Sequence, residues 1–204
     1  MISSNIKDMK LADVYQVLTG AVSPRPIALV ATRGGSGINL APFSFFNLVS
    51  IDPAMLMFSP LRKFRDASLK DTFHNVQENP ECTVQVVSND IVEKVNVCSK
   101  DFSSDINEFK ESGLTMIDSD IISVPRVKES PVQMECRVDR VISLGEKSGA
   151  GSIVLCEILR VHIEEAIIKD ERIDPESINL VARNNLDIYT RASGEALFDL
   201  KRPT

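Results

Sequence analysis

The sequence predicts an α+β domain built around an antiparallel β-barrel. Three observations lead there. At least five stretches carry the β-branched or alternating pattern of strands, the helical patterns cluster in the middle of the chain, and the two do not alternate regularly as a doubly wound parallel sheet requires. The chain has 204 residues, 43% hydrophobic and 25% charged, which suits a single globular domain over residues 1–204. At that length the core buries enough surface to need no disulfide or metal staple.

The elements follow in order. Residues 10–19 (KLADVYQVLT) place Leu11, Val14, Tyr15 and Leu18 at helical spacing, with Gly20 as the expected C-terminal cap. Pro24 and Pro26 force extended backbone on the residues before them. Residues 27–32 follow as an apolar strand, and Gly34, Gly35 and Gly37 read as a turn. Residues 55–59 and 82–88 are further strands, the second opening after Asn79-Pro80. Between them a helix is expected over residues 67–78, with Leu69, Phe73 and Val76 on one face. Residues 89–100, with Asn89 as N-cap, and residues 105–112 read as two short helices. Val132, Met134, Cys136 and Val138 then alternate with polar residues, residues 152–164 form another long strand, and residues 145–151 (GEKSGAG) join the two as a hairpin.

Composition excludes several function classes. With 23 basic against 29 acidic residues the net charge is −6, and no basic run reaches four residues, so neither nucleic acid nor an anionic membrane is an expected partner. Any anionic ligand must be held by a local cluster. No apolar run exceeds five residues, so no signal peptide or membrane span is expected. The 4 cysteines show no CxxC pairing and there are only 2 histidines, which fits reduced thiols in the cytoplasm and no metal site. His74 and His162 read as structural. Neither GGSG nor GEKSGAG has the spacing of a P-loop or of a dinucleotide fingerprint.

The segment densest in chemistry is residues 37–50 (GINLAPFSFFNLVS). As a strand it sends some of Phe43, Phe45, Phe46 and Leu48 into the core. Pro42 cannot donate a ladder hydrogen bond, so the strand is broken there or lies at a sheet edge. The amides of Ala41, Phe43 and Ser44 are then expected to be free for a ligand, and a flat heterocycle with polar edges suits such a platform.

Five segments in register, SPRPIALVAT (23–32), NLAPFSFFN (39–47), MLMFS (55–59), LKDTFHNV (69–76) and NEFKESGLT (107–115), resemble the flavin reductase-like family over residues 23–189. The resemblance implies an antiparallel split β-barrel of Greek-key type with peripheral helices, and FMN as cofactor. It implies that Asn39, Leu40, Ala41, Pro42, Phe43 and Ser44 line the isoalloxazine, that Ser59, Lys70, Asp71 and Thr72 surround the ribityl phosphate, and that Arg25 is a second cation for it. A phosphate calls for hydroxyls, a cation and free amides at a helix start. Where the family carries Arg-x-Gly-Gly before a tyrosine, this chain has Arg183, Asn184 and Asn185 before Tyr189, and asparagine is expected to make the turn through a positive φ. The loop between Arg33 and Asn39 offers no aromatic to cover a flavin.

The activity so implied is NAD(P)H-dependent flavin reduction, with NADH or NADPH as donor, in a homodimer that serves a monooxygenase or another redox partner. The cofactor carries the chemistry, so no acid–base residue is required. The alternative is a flavoredoxin-type electron carrier or a flavin sensor that does not use NAD(P)H.

Overall fold

The computed structural model describes residues 1–203. Helix α1 (Leu11–Ala21) is followed by strands β1 (Arg25–Pro26), β2 (Ala28–Gly34), β3 (Gly37–Phe43), β4 (Phe46–Ile51) and β5 (Ala54–Phe58). Next come helix α2 (Asp71–Glu78), strand β6 (Glu81–Val86) and the short helices α3 (Val92–Val97) and α4 (Glu108–Ser112). Strands β7 (Met116–Ile117) and β8 (Arg126–Val127) precede the two long strands β9 (Val132–Ser143) and β10 (Ser152–Ile163). The chain closes with β11 (Ile168–Lys169), β12 (Arg172–Ile173), helix α5 (Pro175–Ile178), β13 (Leu180–Arg183) and β14 (Tyr189–Ala192).

Seven strands make one antiparallel sheet in the order β3-β2-β6-β9-β10-β5-β4. Its two edges, β3 and β4, are consecutive in the chain and separated only by Ser44 and Phe45. So short a link forces the sheet to roll until its edges meet at one corner. Among the described residues β3 and β4 do not pair, so the sheet stays open there rather than closing as a barrel.

Alternation along the strands sorts the core into two layers. Inside the roll, Ala28, Val30, Phe43, Phe58, Val84 and Val154 pack together with Cys82, Cys136 and Cys156. Outside it, Leu29, Ala31 and Leu40 pack against Val95, Phe109 and Val127. Strand β2 is therefore buried on both faces, which is why residues 27–32 read as an unbroken apolar run. On β9 the expected alternation holds, yet the polar side of the strand is covered too. Glu135 is fully buried, accepting the amides of Asp120 (2.8 Å) and Ile121 (2.9 Å) and bonding His162 Nε2 at 2.7 Å. All four cysteines are buried free thiols, and no helix among the described residues is long and apolar enough to cross a membrane.

Helix α1 runs past its expected cap, whereas the next three helices start later than the sequence predicts. Gly20 lies inside α1, which ends at Ala21. The helix expected from residue 67 starts at Asp71, because Ala67 adopts a left-handed φ of 58° and Lys70 is extended. Asn89 does not cap α3: its amide donates to Asn179 O at 2.8 Å and its side chain accepts from Arg191 at 2.8 Å, so the helix begins only at Val92. Helix α4 starts at Glu108 rather than 105, with the Asn107 side chain accepting the Phe109 amide at 3.0 Å.

Two contacts aim α2. Asn75 Nδ2 donates to Thr32 Oγ1 at 3.1 Å, and Gly34 admits the close approach, since a Cβ there would lie 2.2 Å from Asn75 Oδ1. At the other end Asn39 Nδ2 donates to Thr72 Oγ1 at 2.9 Å. The helix thus lies on β2 with its N-terminus at the open edge of β3.

Candidate functional site

A cavity of about 400 Å³ opens beside the corner where β3 turns into β4, within the range of small-molecule sites. Five segments line it: Tyr15 of α1, β3 from Asn39 with Ser44 and Phe45, residues between Ser59 and Arg65, the start of α2, and residues 98–102 with Glu108. Of the residues expected from the sequence, Asn39, Ala41, Pro42, Phe43, Ser44, Ser59, Lys70, Asp71 and Thr72 all line this one cavity.

The β3 backbone does not present the amides the sequence predicts. Leu40 N–H points off the sheet, to Glu108 Oε2 at 3.0 Å, and Pro42 has no N–H to give. Antiparallel pairs alternate between bonded and non-bonded, so Ala41 and Phe43, paired with Val30 and Ala28, spend their amides on β2. Pro42 does lie at a sheet edge, as expected, but of the three expected amides only that of Ser44, beyond the last ladder pair, has no partner among the described residues. Leu40 does not line the cavity; its fully buried side chain packs in the outer core layer.

The other end of the cavity is built for an anion. Lys70 precedes α2 without capping it, and Phe73 and His74 both donate to Lys70 O. Among the described residues the amides of Asp71 and Thr72 then have no partner, which leaves the first turn of α2 electropositive. Burial lowers the Lys70 pKa below the ordinary lysine value, and the charge of Lys63 adds to it. Among the described residues no carboxylate pairs with Lys70, and its Nζ lies 5.9 Å from the centre of the Phe43 ring. Ser59 Oγ faces the same space, against Gly151, where a Cβ would come within 2.8 Å of it.

Arg25 does not line this cavity. Its guanidinium is buried and donates to the carbonyls of Thr19, Val22 and, at 2.8 Å, Asn184, so it ties the end of α1 to the turn after β13. It reaches the cavity only through Phe45, whose ring it covers at 5.8 Å. That turn forms as expected, though the left-handed residue is Leu186 (φ 52°) rather than an asparagine. Replacing Arg25 by Met strands three carbonyls and is expected to cost about 1.5–3 kcal/mol in urea denaturation. Ligand affinity of the folded protein should change far less than for variants of Lys70.

Several lining residues carried no signal in the sequence. Arg62, Lys63, Arg65 and Lys100 bring further cations, and Lys63 and Arg65 share Asp101 at 2.6 and 3.4 Å. Arg62 is held by the carbonyls of Gly145 (3.2 Å) and Ala67 (2.9 Å). The aromatic cover missing between Arg33 and Asn39 comes from elsewhere: Tyr15 of α1 meets Phe64 edge-on at 5.5 Å, and Phe45 and Phe102 complete the walls. Glu108 and Cys98 close the floor, the thiol raised to about 11 by burial.

Residues 20–176 match the model described as flavin reductase like domain, a class of flavin-related oxidoreductases. The chain belongs to that family. Over its length it is similar to nitrilotriacetate monooxygenase component B from Bacillus cereus, at 33% identity, with 98% of each chain covered and a TM-score of 0.91. It is also similar to 2-nitrobenzoate 2-nitroreductase NbaA from Pseudomonas fluorescens, at 28% identity, covering 100% of this chain and 97% of the other, with a TM-score of 0.87. A protein with a split barrel domain from Shewanella frigidimarina NCIMB 400 is 24% identical over 97% of this chain and 96% of its own, with a TM-score of 0.81, which identifies the fold as a split barrel.

Proposed function

We propose that the chain is an FMN-binding oxidoreductase that takes reducing equivalents from NADH or NADPH and passes them to an acceptor. The observation that carries this reading is a local reversal of charge. The chain as a whole carries a net −6, yet its cavity is lined by five cations against three carboxylates. Lys70, the unpaired amides of Asp71 and Thr72, and the Ser59 hydroxyl are the donor set that a phosphate monoester requires. The aromatic walls and the Ser44 amide suit a flat heterocycle with polar edges.

Bound FMN would supply the hydride and electron chemistry at its isoalloxazine. The chain's own part is binding and exclusion. Lys70 and the start of α2 anchor the phosphate, Asn39 fixes Thr72 in place, and Tyr15, Phe45, Phe64 and Phe102 keep water from the ring. The reading includes a homodimer, supported by the exposed apolar side chains Leu48, Val49 and Ile51 on edge strand β4, and a separate redox partner such as a monooxygenase.

The test is the absorption spectrum of the purified protein after FMN is added and the excess removed by gel filtration. A flavin band that co-elutes with the protein is the expected result, at twice the 22.5 kDa of one chain; elution without flavin overturns the reading. Steady-state oxidation of NADH and NADPH then tests the donor, and retained flavin without turnover assigns the protein to the electron carriers.

A further inference from the structure

The anion end of the cavity holds a charge that does not belong there. Glu108, the first residue of α4, is only 7% exposed, yet it lines the same space as Lys70 and Thr72. Among the described residues no Lys, Arg or His pairs with it; its donors are two backbone amides, its own and that of Leu40, the latter on Oε2 at 3.0 Å. Leu40 adjoins Asn39, whose side chain holds Thr72, so the carboxyl stands one residue along β3 from the group that fixes the first turn of α2. From α2 itself Asp71 presents a second carboxylate. Burial raises the Glu108 pKa above its ordinary value; the two backbone amides pull it down and the charge of Asp71 adds to the rise, and burial wins. The remaining titratable neighbours are the Cys98 thiol, which is raised and neutral, and Lys70, whose charge is itself poorly solvated. On α4, Lys110 and Glu111 are exposed.

An ionised Glu108 would repel any phosphate placed at the start of α2, with no cation of its own to offset the cost. A neutral Glu108 keeps a carbonyl oxygen for Leu40 and gains an O–H donor. We propose that Glu108 takes up one proton from solvent as the ligand phosphate enters and donates that O–H to it, so that phosphate recognition in this cavity is coupled to protonation. The proposal rests on the FMN reading above.

Calorimetric titration of the full chain with FMN, near pH 7.5 in two phosphate-free buffers of different ionisation enthalpy, measures the protons taken up. The wild type should take up protons and Glu108→Gln markedly fewer, because glutamine keeps an acceptor for Leu40 and is always neutral. Near pH 8 Glu108→Gln should bind FMN about tenfold more tightly than the wild type, one pKa unit's worth. Riboflavin, which lacks the phosphate, should bind both proteins alike without uptake. Two results overturn the proposal: FMN binding to the wild type without proton uptake, a measurement that needs no variant, or equal uptake by wild type and Glu108→Gln. No FMN binding to the wild type defeats this proposal and the cofactor reading together; binding without uptake defeats this one alone.

Discussion

Lys70→Met is expected to weaken FMN binding by about 10- to 150-fold and to stabilise the flavin-free protein. The loss follows from removing a charge-assisted contact of about 1.5–3 kcal/mol with the phosphate. The gain follows from the cost of keeping an ammonium in a desolvated corner beside Lys63 with no carboxylate of its own. A lysine whose folded pKa lies below its unfolded value costs stability at every pH below the folded value. That cost fades as pH rises from the folded pKa towards the ordinary lysine value of 10.5. The variant's advantage in melting temperature should therefore be full at neutral pH and shrink in alkali. The methionine side chain fills the space of the lysine stem, so packing against Phe43 is retained. Unchanged FMN affinity would remove Lys70 from the phosphate site, and a lower melting temperature without flavin would show that its charge is satisfied after all.

Ala41→Leu is expected to lower FMN affinity by more than about a hundredfold while leaving the protein folded. Ala41 sits on edge strand β3, half buried, packed against the inner core layer on one side and open to the cavity on the other. A branched side chain there has room only where the ring would lie, and a packed site accommodates such a group at the expense of its ligand. Melts of the flavin-free protein separate this outcome from a core defect. A variant that loses FMN yet melts within a few degrees of the wild type supports the site. A variant that melts far below it makes Ala41 a core residue.

Much of the fold was legible because strands declare themselves by composition. Residues 27–32 and the alternation from Val132 survive almost unchanged as β2 and β9. Helix starts were less legible. Residues 67–70 and 89–91 have helix-compatible sequences, but Ala67 turns left-handed in a loop closed on Arg62 and Lys63, and Asn89 is claimed by distant partners, Asn179 before β13 and Arg191. The same holds for the site. Asn39, Lys70 and Thr72 lie within short motifs, and the cavity does collect them. Arg25 looks like any cation in a sequence, and only the three carbonyls around it make it a structural tie. Glu108 was visible inside the NEFKESGLT segment, but nothing local says that its carboxyl reaches across to Leu40. The ladder parity that uses up the Ala41 and Phe43 amides is likewise a property of pairing and not of the strand alone.

The pairing of Leu40 with Glu108 also bears on the solubility of the protein. An open sheet exposes an edge onto which a strand of another molecule can add, the first step of aggregation. On the free side of β3 the outward positions are Ile38, Leu40 and Pro42. Pro42 has no donor and the donor of Leu40 is occupied by Glu108, so of these three only Ile38, next to the hairpin turn, offers an unpaired N–H among the described residues, and the next is that of Ser44, beyond the strand. Two donors at opposite ends of the strand, with none between them, template a ladder poorly. The corner that must stay open for a ligand is in this way closed to other chains, and the carboxyl that guards it stands at the floor of the cavity.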